Sequence, residues 1–373
     1  MDRLFSSQTD RPCSRRPGFT LIELLVVVAV IALLISILLP SLGAARRLAR
    51  GLVCSSNLRQ LATGLNGYCL ENKDFFPGSP YTSGKTAFFD KKYNGIAMQG
   101  FDWAGPLAHS MGMNPAGAGA DYSSAGDAKA DRIQRLEWLR NQKAFVCAEN
   151  NIEAVGYDMT SKDWPSGRML SYFASTYLFS TNEPDSMGGT ATEDISDGID
   201  RGGCTDRNKG GGYRPRLSVI GSPFMRAAFY DGARYTLDGP AKPDFDASIG
   251  ANYGGMFTDW GPVSTFNRSL RRTTAPGEGL SFLGWYDARR YAFRHGTYQA
   301  AKLSGTSSAL CLGYVAFFDG HVQQMNDGDA TNPDYWFPQG TVLNKGGKKI
   351  PTWQYTKKKW PEKTGTNGEY VVP

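Results

Sequence analysis

The sequence predicts an α+β protein: one long N-terminal helix, transmembrane and then amphipathic, packed on a large, mainly antiparallel β head. Three observations predict it. Phe19–Leu39 is an apolar run interrupted by one charge, Glu23. From Leu42 to Tyr68, apolar residues recur mostly at threes and fours, the period of one helix face. From Lys73 onward, short apolar runs alternate with Gly, Pro, Asn and Asp, the texture of strands and turns.

The elements follow in order. A polar leader, residues 1–18, carries Arg3, Arg11, Arg15 and Arg16 and ends at Gly18. Phe19–Leu39 would extend about 31 Å as a helix, enough to cross a hydrocarbon core of about 30 Å. Pro40 is expected to kink or loosen the helix. Leu42, Ala45, Leu48, Leu52, Leu58, Leu61, Leu65 and Tyr68 then mark a half-buried helix that ends near Glu71-Asn72. The head spans 73–340, with a Lys- and aromatic-rich tail over 341–373. Strands are expected at Ala144–Cys147, Tyr172–Phe179, Met225–Tyr230, Leu280–Trp285, Ala309–Phe318 and His321–Met325, and a short helix at Arg132–Gln142. Residues 116–130 and 185–214 read as loops.

Composition narrows the function. With 44 Gly, 20 Pro and 12% aromatics in 373 residues, the body is loop-rich but globular. A net charge of +6 gives no polybasic face of the kind nucleic-acid binding needs, so no nucleic-acid partner is expected. Six Cys stand at 13, 54, 69, 147, 204 and 311 with no CxxC pair, so no metal site and no cofactor are expected. Once the leader and Cys13 are removed, five Cys allow up to two disulfides, and their pairing stays open. Cys54 and Cys69 lie roughly 22 Å apart along one helix and cannot pair.

Glu23 needs an explanation, because a carboxylate in hydrocarbon is costly unless paired. Cleavage after Gly18 would free the amine of Phe19, and the carboxylate of one subunit could neutralise that amine on a neighbour. A plain anchor or signal peptide leaves Glu23 without a role. The run Gly18-Phe-Thr-Leu-Ile-Glu23 resembles the N-terminus of bacterial type IV prepilins and type II secretion pseudopilins. The resemblance implies a membrane prepilin peptidase that cleaves Gly18–Phe19 and methylates Phe19. It also implies assembly with other pilin or pseudopilin subunits through Leu21–Leu39, with Glu23 setting register. The chain would be single-pass in the inner membrane, in contact with its lipid, with a cytoplasmic N-terminus and a periplasmic or extracellular head. No catalysis is expected.

Further landmarks resemble large prepilin-like proteins with an H-X9-DG C-terminal region. They are Cys54-Ser-Ser-Asn-Leu-Arg-Gln-Leu, Phe145-Val-Cys147, Phe229-Tyr-Asp231, Arg294-His-Gly296 and Phe317-Phe-Asp-Gly-His-Val322. Here 23 residues separate His295 from Asp319, rather than nine. Asp319-Gly320 is read as a two-residue type I′ hairpin turn. Asp231, His295, Asp319 and His321 have side chains that suit a binding cluster. Their wide spacing favours the structural reading.

Asp194–Asp200 and Asp327–Asp334 read as solvated polar loops. Gly78–Thr86 departs from the phosphate-binding loop by one residue and a proline. Lys345–Lys363 interleaves with Trp353, Tyr355 and Trp360, a pattern that motivates the alternative function, a membrane-tethered glycan- or polymer-binding protein that does not polymerise.

Overall fold

The computed structural model describes residues 19–79, 82–83, 92–93, 96–97, 102–113, 134, 136–150, 153–157, 167–168, 170–179, 199–200, 213–232, 244–246, 258–259, 295, 312–347, 357, 359–365 and 368–373. The chain divides into two compact units after Leu48. Helix α1, Leu21–Glu71, is a continuous 51-residue element and ends where the periodicity predicts. It runs unbroken through Pro40. The missing N–H there leaves the Ser36 carbonyl without its usual donor four residues on. On either side, the hydroxyls of Ser36 and Ser41 donate to the carbonyls of Leu33 and Leu38 (2.7 and 2.9 Å).

In the first unit, α1 buries nothing: Leu21, Ile22, Leu25 and Ile37 are among its exposed apolar residues. In the second unit, one face of α1 is buried, formed by Cys54, Leu58, Leu61, Ala62, Leu65, Tyr68 and Cys69. Their spacing of three, four and one is that of a single helix stripe.

That stripe packs on a five-stranded sheet. The strands, in chain order, are β1 (Lys92–Tyr93), β2 (Ile96–Ala97), β3 (Glu153–Tyr157), β4 (Gly167–Arg168), β5 (Tyr172–Ser175), β6 (Ile199–Asp200), β7 (Ala227–Asp231), β8 (Asp244–Asp246), β9 (Thr258–Asp259), β10 (Leu312–Phe317), β11 (Val322–Asn326), β12 (Val342–Leu343) and β13 (Tyr370–Val371). The large sheet runs β11-β10-β7-β5-β9. It is antiparallel except for the β5–β9 pair. Three small sheets accompany it: β1-β2, β13-β12-β6 and β4-β3-β8. Helix α2, Ala104–Ser110, buries Ala104, Leu107 and Ala108 in the core beneath α1.

Side-chain alternation sorts the sheet into two faces. Tyr172, Ala174, Phe229, Tyr314 and Ala316 meet α1, Trp103 and Phe145. Phe173, Ala227, Tyr230, Val315 and Phe317 meet Trp336, Phe337, Leu343 and Val372. Ala227 and Tyr230 share a face because the ladder skips Ala228. Phe317 pairs with Ala227 and Ala316 with Phe229, a β-bulge at Ala228. The sheet is therefore covered on both sides, which is why β5, β7 and β10 are almost continuously apolar.

Several expectations need correction. Lys143–Phe145 is a 3-10 turn, not a strand. The run 172–179 divides into strand β5 and a helical turn, Thr176–Phe179. Helix occupies 136–141 within the expected Arg132–Gln142 element. The hairpin joining β10 and β11 has three loop residues rather than two. Phe317 pairs with His321, the Gly320 N–H donates to the Phe317 carbonyl (2.9 Å), and only Gly320 has positive φ (+91°). One left-handed residue after two others makes a three-residue G1-bulge turn, so Asp319 needs no special backbone. The expected strand at Leu280–Trp285 lies outside the described residues.

Candidate functional site

At the N-terminus, Thr20 and Glu23 bind each other reciprocally. The Thr20 N–H and hydroxyl both donate to Glu23 Oε2 (2.8 Å each), and the Glu23 N–H donates to Thr20 Oγ1 (3.2 Å). This is a capping box, in which two groups three positions apart close the open first turn of a helix. The Thr-x-x-Glu spacing was there to be read in the sequence. Glu23 therefore has a partner within its own chain as well as any it finds on a neighbour. Phe19 is exposed at the entry to α1, and Gly18 lies outside the described residues.

The second cluster is buried in the head. Asn57, one turn along α1 from Cys54, donates its amide to the carbonyls of Lys143 (2.6 Å) and Val146 (3.4 Å). That ties the segment around Cys147 to the helix. Ser171 Oγ fixes the same segment from the sheet side, accepting from Cys147 N–H and Asn150 Nδ2 (2.8 Å each). With both anchors in place, Cys54 and Cys147 form a disulfide, closing 93 residues of chain. Cys69 is free and buried, and burial pushes its thiol up to about 12. Cys204 and Cys311 lie outside the described residues.

His295 stands over this disulfide, held by backbone bonds in both directions with Leu312 at the start of β10 (2.9 and 3.1 Å). Its Nε2 is 3.6 Å from Cys147 Sγ and 3.1 Å from Asp231 Oδ2. Its Nδ1 is 2.8 Å from Glu149 Oε2, a close ionic contact set off the line of a regular hydrogen bond. Asp231 is fully buried at the end of β7. Its Oδ2 also accepts the Tyr314 N–H (2.9 Å).

Tyr314 meets His295 edge-on at 4.6 Å. Burial, and then the nearby Asp231 and Glu149 charges, raise its phenol above the usual range. Gly51 lets this ring approach: a Cβ there would lie 2.9 Å from Tyr314 Oη.

The four-residue cluster expected from the sequence therefore splits in two. Asp231 and His295 come together. Asp319 and His321 sit at the far end of β10, roughly 20 Å along the strand. There His321 Nδ1 lies 2.6 Å from Asp319 Oδ1 and the ring stacks on Phe317 at 4.2 Å. Glu149, Tyr314 and Gly51 complete the buried site and were missed. Glu149 had one signal, its position two residues after Cys147.

Of the two tail tryptophans, Trp353 lies outside the described residues. Trp360 is half-buried, with Lys359 and Lys363 over its ring at 5.9 and 5.6 Å. Both lysines are also paired within the chain, to Asp329 (3.0 Å) and to Asp334. The 327–334 segment is not a solvated loop: Asp327–Ala330 forms a helical turn and Asp334 is buried.

The prokaryotic N-terminal methylation motif matches residues 13–39. The type IV wide pilus major component PilA4 of Thermus thermophilus is 41% identical over 58 residues, which cover 16% of this chain and 44% of that protein. The chain thus matches less than half the length of that relative. No solved structure matches it. The motif and the exposed apolar helix fit a membrane-anchored protein. By its methylation motif and its pilin relative, the N-terminal part of the chain is type IV prepilin-like.

Proposed function

We propose that this chain is a non-catalytic subunit of a type IV pilus-like filament. A prepilin peptidase cleaves between Gly18 and Phe19, and the head faces the periplasm or the outside. The observation that carries this reading is the methylation motif over 13–39, which includes an apolar span of α1 that is exposed throughout. An apolar surface of that extent needs lipid or neighbouring helices. The similarity to a pilus major component supports a pilus over a secretion pseudopilus. Arg46, Arg47 and Arg50 are exposed just beyond the apolar span and suit lipid headgroups or neighbouring subunits.

The test is the N-terminal residue and its mass in membranes of the native cell, with the peptidase present and deleted. N-methylated Phe19 found only with the peptidase supports the reading. An intact Met1 terminus in both strains overturns it.

A further inference from the structure

We infer that the buried site between α1 and the sheet is a redox-gated metal site: a disulfide when oxidised, a centre for one divalent zinc-like cation when reduced. Cys54, Cys147 and His295 are all buried, and their ligand atoms lie within 4.8 Å of one another. Asp231 lies beside this group, its Oδ2 3.1 Å from His295 Nε2, and a local shift on reduction would bring it in as the fourth ligand. Two thiolates, one imidazole and one carboxylate form a donor set that Zn2+ accepts in tetrahedral geometry. The absence of any CxxC pair hid this set, because its members come from α1, the 147 segment, β7 and residue 295.

The surroundings match those of a metal-bound histidine. Such a ring usually gives its other N–H to a carboxylate, which fixes the tautomer. Glu149 Oε2, 2.8 Å from Nδ1 but off the line of a regular hydrogen bond, is the carboxylate beside that position. The ring then turns Nε2 toward Cys147 Sγ and Asp231. The site is fully enclosed, with Cys54, Cys147 and Asp231 all at 0% exposure. Opening it therefore requires local movement of the 147 segment.

The chemistry balances with an external dithiol. That dithiol gives two electrons and two protons to the Cys54–Cys147 bond and itself becomes a disulfide. Binding of the metal then releases both thiol protons to solvent. With a neutral imidazole and one carboxylate, two thiolates and Zn2+ leave a net charge of −1.

The test uses the full chain in detergent, reduced without oxygen by a phosphine and titrated with Co2+ as the probe. The expected result is one equivalent bound, with the thiolate-to-metal absorption and tetrahedral ligand-field bands of a sulfur site. The oxidised chain gives none. His295→Gln and Asp231→Asn each remove a ligand and weaken binding by more than the roughly 10–100-fold that loss of an outer-shell partner costs. Cys54→Ser/Cys147→Ser abolishes the bands although Cys69, Cys204 and Cys311 remain. The oxidised His295→Gln chain, with its disulfide intact, serves as the folding control by circular dichroism. A reduced wild-type chain that binds no Co2+ overturns the proposal, as does a folded His295→Gln chain that binds as tightly as wild type.

Discussion

Thr20 and Glu23 cap α1 reciprocally, three bonds of 2.8, 2.8 and 3.2 Å closing the first turn. Glu23 thereby carries two separable roles, a cap within the chain and a charge offered to a neighbour. Glutamine can fill the same position of a capping box but has no charge. Thr20→Ala removes the cap and leaves the charge.

If the charge sets register in the filament, Glu23→Gln inserts in the membrane as wild type but fails to enter sedimentable filaments. Thr20→Ala weakens the helix start by about 1 kcal/mol and assembles. Filaments of Glu23→Gln at wild-type yield would remove the interchain role.

The disulfide closes a 93-residue loop and so restricts the unfolded chain. Loops of this size are worth about 4.6 kcal/mol on the entropic account. Cys54→Ser/Cys147→Ser should therefore melt well below wild type without metal present. Peptide mapping of the unreduced chain should recover Cys54 linked to Cys147. Cys69 should resist alkylation until denaturant is added, since burial keeps its thiol protonated up to about 12. Rapid native alkylation of Cys69 would contradict its burial.

Asp334 joins the C-terminal segment to the head. Its carboxylate pairs with Lys363 and accepts the Tyr370 hydroxyl (2.6 Å), while its carbonyl accepts from the buried Arg226 (2.7 Å). Arg226 also donates to the carbonyls of Ile220 (2.8 Å) and Pro373. Asp334→Asn leaves the Lys363 ammonium without a carboxylate and should cost about 3 kcal/mol in denaturant unfolding. It should also speed proteolysis after residue 343. Asp334→Asn/Lys363→Met removes both members and should recover most of the loss. A single variant that unfolds at the wild-type midpoint would show the pair to be solvated.

The helix and the strands β5, β7, β10 and β11 were legible, because each rests on local signals. The stripe from Cys54 to Tyr68 repeats at helix period, and β7 and β10 announce themselves as apolar runs between turns. The second covering of the sheet was not legible. Leu343 and Val372 lie in the stretch read as a Lys- and aromatic-rich tail, and Trp336 and Phe337 sit just before it among Pro, Asp and Gln with no strand or helix period. The Cys54–Cys147 pairing was equally hidden, since it depends on Asn57 and Ser171 anchoring one short segment from two sides. His295 and Asp231 carried the right chemistry. Only the bridge to Leu312 separates them from Asp319 and His321, and a bridge leaves no local trace.

Alkaline pH should unfold the head through its buried phenols. Tyr314, Tyr335 and Tyr370 all titrate above their ordinary value of 10.0, burial being the first cause in each. The Asp334 hydrogen bond and charge add to the effect at Tyr370, and Arg226 opposes it. A phenol whose folded value is raised holds its proton longer in the native state than in the unfolded chain. The unfolded state then binds fewer protons, so stability is full below about pH 10 and falls as pH rises through the folded values. Cys69 acts in the same direction between its ordinary 9.0 and about 12. Unfolding free energy measured at rising pH should therefore decline from about pH 9 upward, and tyrosinate absorbance should lag a denatured sample. Tyr370→Phe should flatten part of that slope, since it removes a raised group and keeps the ring. Tyrosinate forming at the denatured value while the fold persists would place these phenols in solvent.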